Sequence, residues 1–314
     1  MKKVSIFIIV LIALLILGGC SNSNSASAPS GNEGNDQEPE IKTLADDTTM
    51  GGLVVVAPDG YDEVYRYVEQ DVNGKLIEKD LGYTFSDGRI VSYALMKNTN
   101  LVETLSENVL NSLEKIERDG LTFYLYDAEQ EHVSFLQYGD DAYGLDYTLP
   151  GEEGNESFRN AINAIEFKED SREVLVNDSD LYDINYTIDP SLPLYGISNT
   201  YTENSEGKAI EKHITWKFGE NDSNMDFGFA ILVYKDTTLD QKISADKTYE
   251  EKTINDITYT VLSNDEGAPY DYFVQHNNDV YRIRNNGASN GWFTNRSEDS
   301  EKAFEAFLNT ISFK

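Results

Sequence analysis

A single cysteine in 314 residues excludes any intrachain disulfide, and three histidines leave little for a metal centre or a proton relay. Basic side chains are scarce too: 25 Lys and Arg stand against 56 Asp and Glu, so 56 minus 25 leaves a net charge of −31. A nucleic-acid binder must present a surplus of lysine and arginine to release counterions from phosphates, so that class is excluded. His-Glu-x-x-His is missing, which removes the usual sequence signature of a zinc peptidase. Long apolar runs are missing except for Ile6 to Leu17, which would rise only ~18 Å as helix against a hydrocarbon core of ~30 Å. What is present argues against disorder throughout. Hydrophobic residues make up 39%, with 20 Tyr and 14 Phe, enough for one or two packed cores at ~100–200 residues per domain.

The apolar run follows Lys2 and Lys3 and ends in Leu17-Gly18-Gly19-Cys20. A basic start, a short apolar stretch and small residues at the cut make a secretory signal over residues 1–19. With the only Cys directly after the two glycines, this end resembles the lipobox of bacterial lipoproteins. That resemblance implies that Cys20 becomes the mature N-terminus and carries a diacylglyceryl group, a palmitate-type anchor on the outer face of the cell membrane. Two acyl chains at ~0.8 kcal/mol per buried methylene hold a protein stably, where one chain would not. Residues 20–50 are mostly Ser, Asn, Gly, Ala, Pro and acid, a flexible acidic linker of low hydrophobicity.

Self-comparison organises the remainder. Gly74-Lys75-Leu76-Ile77-Glu78-Lys79 recurs as Gly207-Lys208-Ala209-Ile210-Glu211-Lys212, displaced by 133 (207 minus 74). Ser134-Phe135-Leu136-Gln137, followed by Asp141 and Tyr143, recurs as Tyr272-Phe273-Val274-Gln275 with Asp279 and Tyr281, displaced by 138 (275 minus 137). Phe158 to Lys168 recurs as Phe304 to Lys314, displaced by 146 (304 minus 158). Three matches in one order predict two homologous tandem domains, residues 51–170 and 171–314.

Each repeat follows one grammar. A β-rich run ends near Pro58 or Pro190, a hairpin turns at Asn73-Gly74 or Glu206-Gly207, and strands follow at Ile90 to Met96 and Phe227 to Tyr234. Leu101, Leu105, Val109, Leu113 and Ile116 make one apolar helical stripe, with a shorter counterpart from Leu239 to about Glu251. Three more strands come next, near Leu121–Tyr126, His132–Tyr138 and Tyr143–Thr148, and near Ile257–Leu262, Tyr272–His276 and Val280–Arg284. Amphipathic helices close both repeats, through Phe158, Ile162 and Ile165 and through Phe304, Leu308 and Ile311, with Ser297 placed to cap the second. The predicted class is α+β: two homologous domains, each an antiparallel sheet with packed helices. This layout, opening on Pro58-Asp59-Gly60-Tyr61 and closing on F-x-x-x-(I/L)-x-x-I-x-F, is similar to PsbP-like domains and to domains common in lipoproteins of Gram-positive bacteria. The resemblance implies an accessory or binding role and carries over no functional residues.

Candidate chemistry is sparse. His132, His213 and His276 match Tyr270, Asp80 and Tyr138 in the other repeat, and none sits in a nucleophile motif. Asn177-Asp178-Ser179-Asp180 with Asp183, and Asn221-Asp222-Ser223-Asn224, are oxygen-rich but lack the Gly and closing Glu of an EF-hand, so they read as a linker and a turn. Gln137 and Gln275 read as strand residues, and Asp141 and Asp279 as turn residues, with a repeated ligand groove as the other reading. Tyr61, Tyr65, Tyr67, Tyr195, Tyr201, Trp216 and Trp292 supply aromatic surface that suits strands and binding platforms alike. The expected function is that of a membrane-anchored cell-envelope lipoprotein that binds a protein, peptide or glycan partner without catalysis, cofactor or metal. A small-ligand receptor using the cleft between the repeats and an envelope hydrolase are the alternatives.

Overall fold

The computed structural model describes residues 41–42, 50–128, 131–148, 152–168, 175–176, 180–220, 225–245, 247–263, 269–286 and 297–314. The signal peptide, Cys20, most of the linker, Asn177 to Ser179, Asn221 to Asn224 and Trp292 lie outside these residues. No helix among the described residues is long and apolar enough to cross a membrane.

Strand dominates, which corrects the α+β expectation. Fourteen strands make up the antiparallel sheet structure of the two units described below. In chain order they are β1 (Glu63–Asp71), β2 (Leu76–Thr84), β3 (Ile90–Met96), β4 (Glu114–Arg118), β5 (Leu121–Ala128), β6 (Glu131–Tyr138) and β7 (Asp141–Thr148). The second seven are β8 (Leu194–Asn204), β9 (Ala209–Gly219), β10 (Met225–Tyr234), β11 (Tyr249–Ile254), β12 (Ile257–Ser263), β13 (Pro269–His276) and β14 (Asp279–Asn286). The described helices are short: α1 (Leu101–Leu105), α2 (Glu107–Ser112), α3 (Glu152–Ala164), α4 (Leu239–Lys242) and α5 (Glu298–Leu308).

The helix expected from Leu101 to Ile116 explains most of the discrepancy. Ser106 takes φ 61°, ψ 150°, which ends α1, and Leu113 is extended, which ends α2. Ile116 then lies in β4, paired with Phe123 of β5. The apolar spacing therefore served two short helices and an edge strand, and Val109 is left 37% exposed. The counterpart expected from Leu239 to Glu251 likewise stops at Lys242, and the chain re-enters the sheet at Tyr249.

Two compact units divide the chain, one of Thr48–Val56 and Asp87–Leu175, the other of Ala57–Ser86 and Val176–Lys314. In the first unit the strand order is β3-β7-β6-β5-β4. Its middle strand is covered on both faces. His132 faces Phe158 of α3, with ring centroids 5.6 Å apart, while Val133 and Phe135 pack with Leu101, Leu105 and Leu110 of α1 and α2. Burial on both sides accounts for the unbroken run of buried residues from His132 to Leu136.

In the second unit the order is β11-β12-β13-β14-β10-β9-β8-β1-β2. Labels seven apart correspond: β10-β14-β13-β12-β11 repeats the order of β3-β7-β6-β5-β4. Period-two alternation puts Ile214, Trp216 and Phe218 of β9 and Phe227, Phe229, Ile231 and Val233 of β10 on one face, beneath Phe304, Phe307 and Leu308 of α5. Phe229 stacks on Phe307 at 5.2 Å with 12° between planes. Ser297 caps α5 as expected, its Oγ accepting the Ser300 amide at 3.1 Å.

The hairpin β1–β2 belongs to this unit because β1 pairs with β8. Tyr67 stands opposite Thr200, and 200 minus 67 is 133, the displacement of the repeated hairpins. Each strand is therefore paired with its own counterpart about a local pseudo-two-fold point. The two hairpin turns match in detail: the amides of Asn73 and Lys75 donate to Asp71 Oδ1 (2.8 and 2.9 Å), and those of Glu206 and Lys208 to Asn204 Oδ1 (3.1 and 2.9 Å). Gly74 and Gly207 take φ 79° and 75°, the left-handed region that favours glycine.

Candidate functional site

The residues shared by both repeats come together at the ends of the sheet strands. Gln137 on β6 accepts the amide of Leu101, the first residue of α1, at 2.8 Å. Its Nε2 donates to the carbonyls of Thr99 (3.1 Å), Gly139 (3.1 Å) and Asp141 (2.9 Å). Asp141, which opens β7, accepts the Asn98 amide on Oδ1 at 2.9 Å and Lys97 Nζ on Oδ2 at 2.8 Å. One amide and one carboxylate thus tie the β3–α1 loop to the β6–β7 turn.

The same knot recurs 138 residues on. Gln275 accepts the Leu239 amide at 2.8 Å and donates to the carbonyls of Thr237 (3.1 Å), Asn277 (3.2 Å) and Asp279 (3.1 Å). Asp279 accepts the Asp236 amide at 3.0 Å and Lys235 Nζ at 2.5 Å. Asn98 and Asp236 both take positive φ, 49° and 47°. The glutamines, read from sequence as plain strand residues, are saturated struts. The lysines were missed, although each precedes its aspartate by the same 44 positions.

Beside the first knot lies a cavity of about 430 Å³, within the range of small-molecule sites. Its apolar walls are Leu101 and Val102 of α1, Leu110 of α2 and Tyr124 of β5, and its polar rim comes from Asn98, Thr99, Asn100, Gly139 and Asp140 beside the strut Gln137. Leu101 and Leu110 are only 2% and 3% exposed and belong to the packed core, whereas Val102 is 49% exposed. Asn100 spends its Oδ1 capping α1, accepting the amides of Val102 and Glu103. Asp140 is the only ionisable side chain in this lining besides the Tyr124 phenol, is exposed, and has no ion-pair partner among the described residues.

The second repeat keeps the knot but not the walls. Thr260 of β12 faces Phe273, where Tyr124 faces Phe135. Asn278 stands where Asp140 does, and after α4 ends at Lys242 the Tyr249 ring packs edge-on against Phe273, its hydroxyl accepting the Ser244 amide at 2.9 Å. Sequence reasoning found Leu101 but missed Leu110, because the continuous helix it expected placed Leu110 between stripe positions. The Asn100 cap ahead of Leu101 was the available signal.

The other candidates disperse. His132 is 3% exposed, its Nδ1 2.5 Å from Asp127 Oδ1 and its ring stacked on Phe158. His276 stacks on Phe313 at 4.4 Å. His213 Nε2 lies 2.8 Å from Thr215 Oγ1; burial, and then the Arg282 guanidinium, push its pKa down to about 4, so the ring is neutral near pH 7. Trp216 is a core residue. The Tyr65 ring lies against Gly82, where a Cβ would come within 2.1 Å of it. The Tyr67 hydroxyl donates to Glu69 Oε2 at 2.6 Å, and burial first, then the Glu69 charge, hold the phenol well above its usual pKa. Asp183, from the first oxygen-rich cluster, accepts Asn277 Nδ2 and, on its carbonyl, the Lys314 amide. Among the described residues no group of three or more His, Cys, Asp or Glu is placed to hold a metal ion.

No protein-family description matches the chain. No characterised relative matches it either. A solved structure, that of MucB in complex with MucA(peri), aligns over 81% of this chain and 93% of that one, at 7% identity and a TM-score of 0.19, a likeness too slight to carry an argument.

Proposed function

We propose that this chain is an envelope protein anchored through Cys20 that binds a partner or ligand without transforming it. The observation that carries the binding half is the cavity at Leu101, Leu110 and Tyr124. It is ligand-sized, its floor is packed core leucine, and its Tyr124 and Asp140 give way to Thr260 and Asn278 in the second repeat, while the hydrogen-bonded frame beside it is kept in both. A feature required by the fold would be kept in both repeats. The order of Lys2, Lys3, the apolar run and Gly18-Gly19-Cys20 supports the anchor.

The two halves are tested separately. Cys20→Ala should move the protein from the detergent-requiring membrane fraction to the soluble fraction; retention in membranes would refute the lipid anchor. For binding, a compound that raises the melting temperature of the full chain should lose that effect in Tyr124→Thr, which gives the first repeat the residue of the second. Stabilisation unchanged by that substitution would place the ligand elsewhere.

A further inference from the structure

The geometry points to an organic cation as the occupant of this cavity: a primary ammonium carried on an aromatic or aliphatic body, the body against Leu101, Leu110 and Tyr124 and the ammonium against Asp140. The inference rests on the cavity being a binding site at all. Shape supplies the first part of the argument, since buried leucines and a tyrosine ring at the floor reward apolar surface removed from water, and the exposed Val102 marks the way in.

Charge supplies the second part. Two neighbouring carboxylates stand at the β6–β7 turn, and the structure distinguishes them. Asp141 is neutralised by Lys97 Nζ at 2.8 Å and spends its other oxygen on the Asn98 amide. Asp140 keeps its charge uncompensated at the rim. Lys115, on the Tyr124 side, is engaged with Asn111 Oδ1 at 3.1 Å and lies 5.4 Å from the centre of the Tyr124 ring. A ligand anion would meet this carboxylate on a chain whose net charge is already −31, whereas a cation is drawn by both. The side-chain amide of Asn98 on the same rim has no hydrogen-bond partner among the described residues and can take a further N–H or O–H of the ligand.

The second repeat serves as an internal control, because Asn278 replaces the carboxylate and Thr260 the ring at the same positions of the same frame. The Tyr124 ring and the uncompensated charge therefore have no counterpart at those positions.

The test uses three probes of one shape on the full chain: phenethylammonium, phenethyl alcohol and phenylacetate, with dissociation constants taken from saturation-transfer NMR. An exposed ion pair is worth roughly a two- to five-fold gain in affinity, so the ammonium should bind about that much more tightly than the alcohol, with phenylacetate weakest. Asp140→Asn should bring the ammonium to the level of the alcohol. Val102→Trp, at a half-exposed position of the lining, should weaken the ammonium and the alcohol by filling the opening. Equal affinity for ammonium and alcohol, or a preference that survives Asp140→Asn, overturns the assignment of a cation and leaves the cavity standing as a binding site. Binding of none of the three, or binding indifferent to both Val102→Trp and Tyr124→Thr, overturns the cavity as a site together with its occupant.

Discussion

Replacing the two glutamine struts by alanine and by glutamate separates hydrogen bonding from packing at each knot. Each amide has one acceptor in use and two N–H groups shared among three carbonyls, with the same partners in both repeats at distances that agree to within about 0.2 Å. Three effective bonds at about 1 kcal/mol each give an upper bound near 3 kcal/mol for Gln137→Ala or Gln275→Ala, and water reaching the exposed turn carbonyls lowers this to about 2 kcal/mol. Glutamate keeps the acceptor for the Leu101 or Leu239 amide but points a second carboxylate oxygen at three carbonyl oxygens where an NH₂ group had been.

The ionised glutamate should therefore cost more than alanine at pH 7, and it should be relieved by a proton, since the protonated acid can again donate. Its pKa in the folded chain then lies above the unfolded value of about 4.3. Stability is fully present below that unfolded value and is lost as the pH rises through the folded one. Urea unfolding at pH 4.5 and 7, each compared with the parent chain at the same pH, should show Gln→Glu less damaging than Gln→Ala at the lower pH and more damaging at the higher. Because the struts lie in different units, each substitution should act on the transition of its own unit, by amounts equal to within about 0.5 kcal/mol. Glutamate and alanine variants alike at both pH values would refute the reading of Nε2 as the donor to three carbonyls. A two-fold disparity between Gln137→Ala and Gln275→Ala would refute the equivalence of the knots.

Two further measurements probe the second unit. His213 is held neutral with its pKa near 4, below the usual 6.5, so the unfolded chain binds the extra proton and stability falls as the pH drops from about 6.5 to 4. The shift corresponds to about 3 kcal/mol, reduced to about 2 because the residue is partly exposed, and His213→Gln should flatten that limb of a denaturant-midpoint profile; an unchanged profile would refute it. Ser297→Ala removes the oxygen that accepts the Ser300 amide and should cost about 1 kcal/mol in chemical denaturation, with Ser297→Asn recovering most of it. No loss would mean that the Ser297 cap contributes nothing to α5.

The strands were legible because their signals are local. The strand expected from Ile90 to Met96 has those ends in the structure, and Gly74 and Gly207 mark both hairpins. The closing helix of the second repeat was legible through Ser297 and the spacing of Phe304, Leu308 and Ile311. The stretch after Leu101 misled because a spacing of four residues says which side chains are buried, not that one helix buries them: Leu101, Leu105 and Leu110 reach a common core on which Leu113 also packs, but Ser106 breaks the first helix, Leu113 is extended past the end of the second, and Ile116 lies in a strand. Gln137 and Gln275 could be found by self-comparison, but their work could not. Each strut bonds to backbone atoms 36 to 38 positions earlier in the chain, Gln137 where β3 leads into α1 and Gln275 where β10 leads into α4, and backbone atoms carry no residue identity for a sequence reading to match. The cavity was less visible still. It depends on what differs between the repeats, Tyr124 against Thr260 and Asp140 against Asn278, and a search for likeness passes over positions of that kind. Where an internally repeated chain has one furnished cavity beside two identical frames, the frame reports how the fold is held, and the unmatched residues around it are where binding chemistry is to be sought.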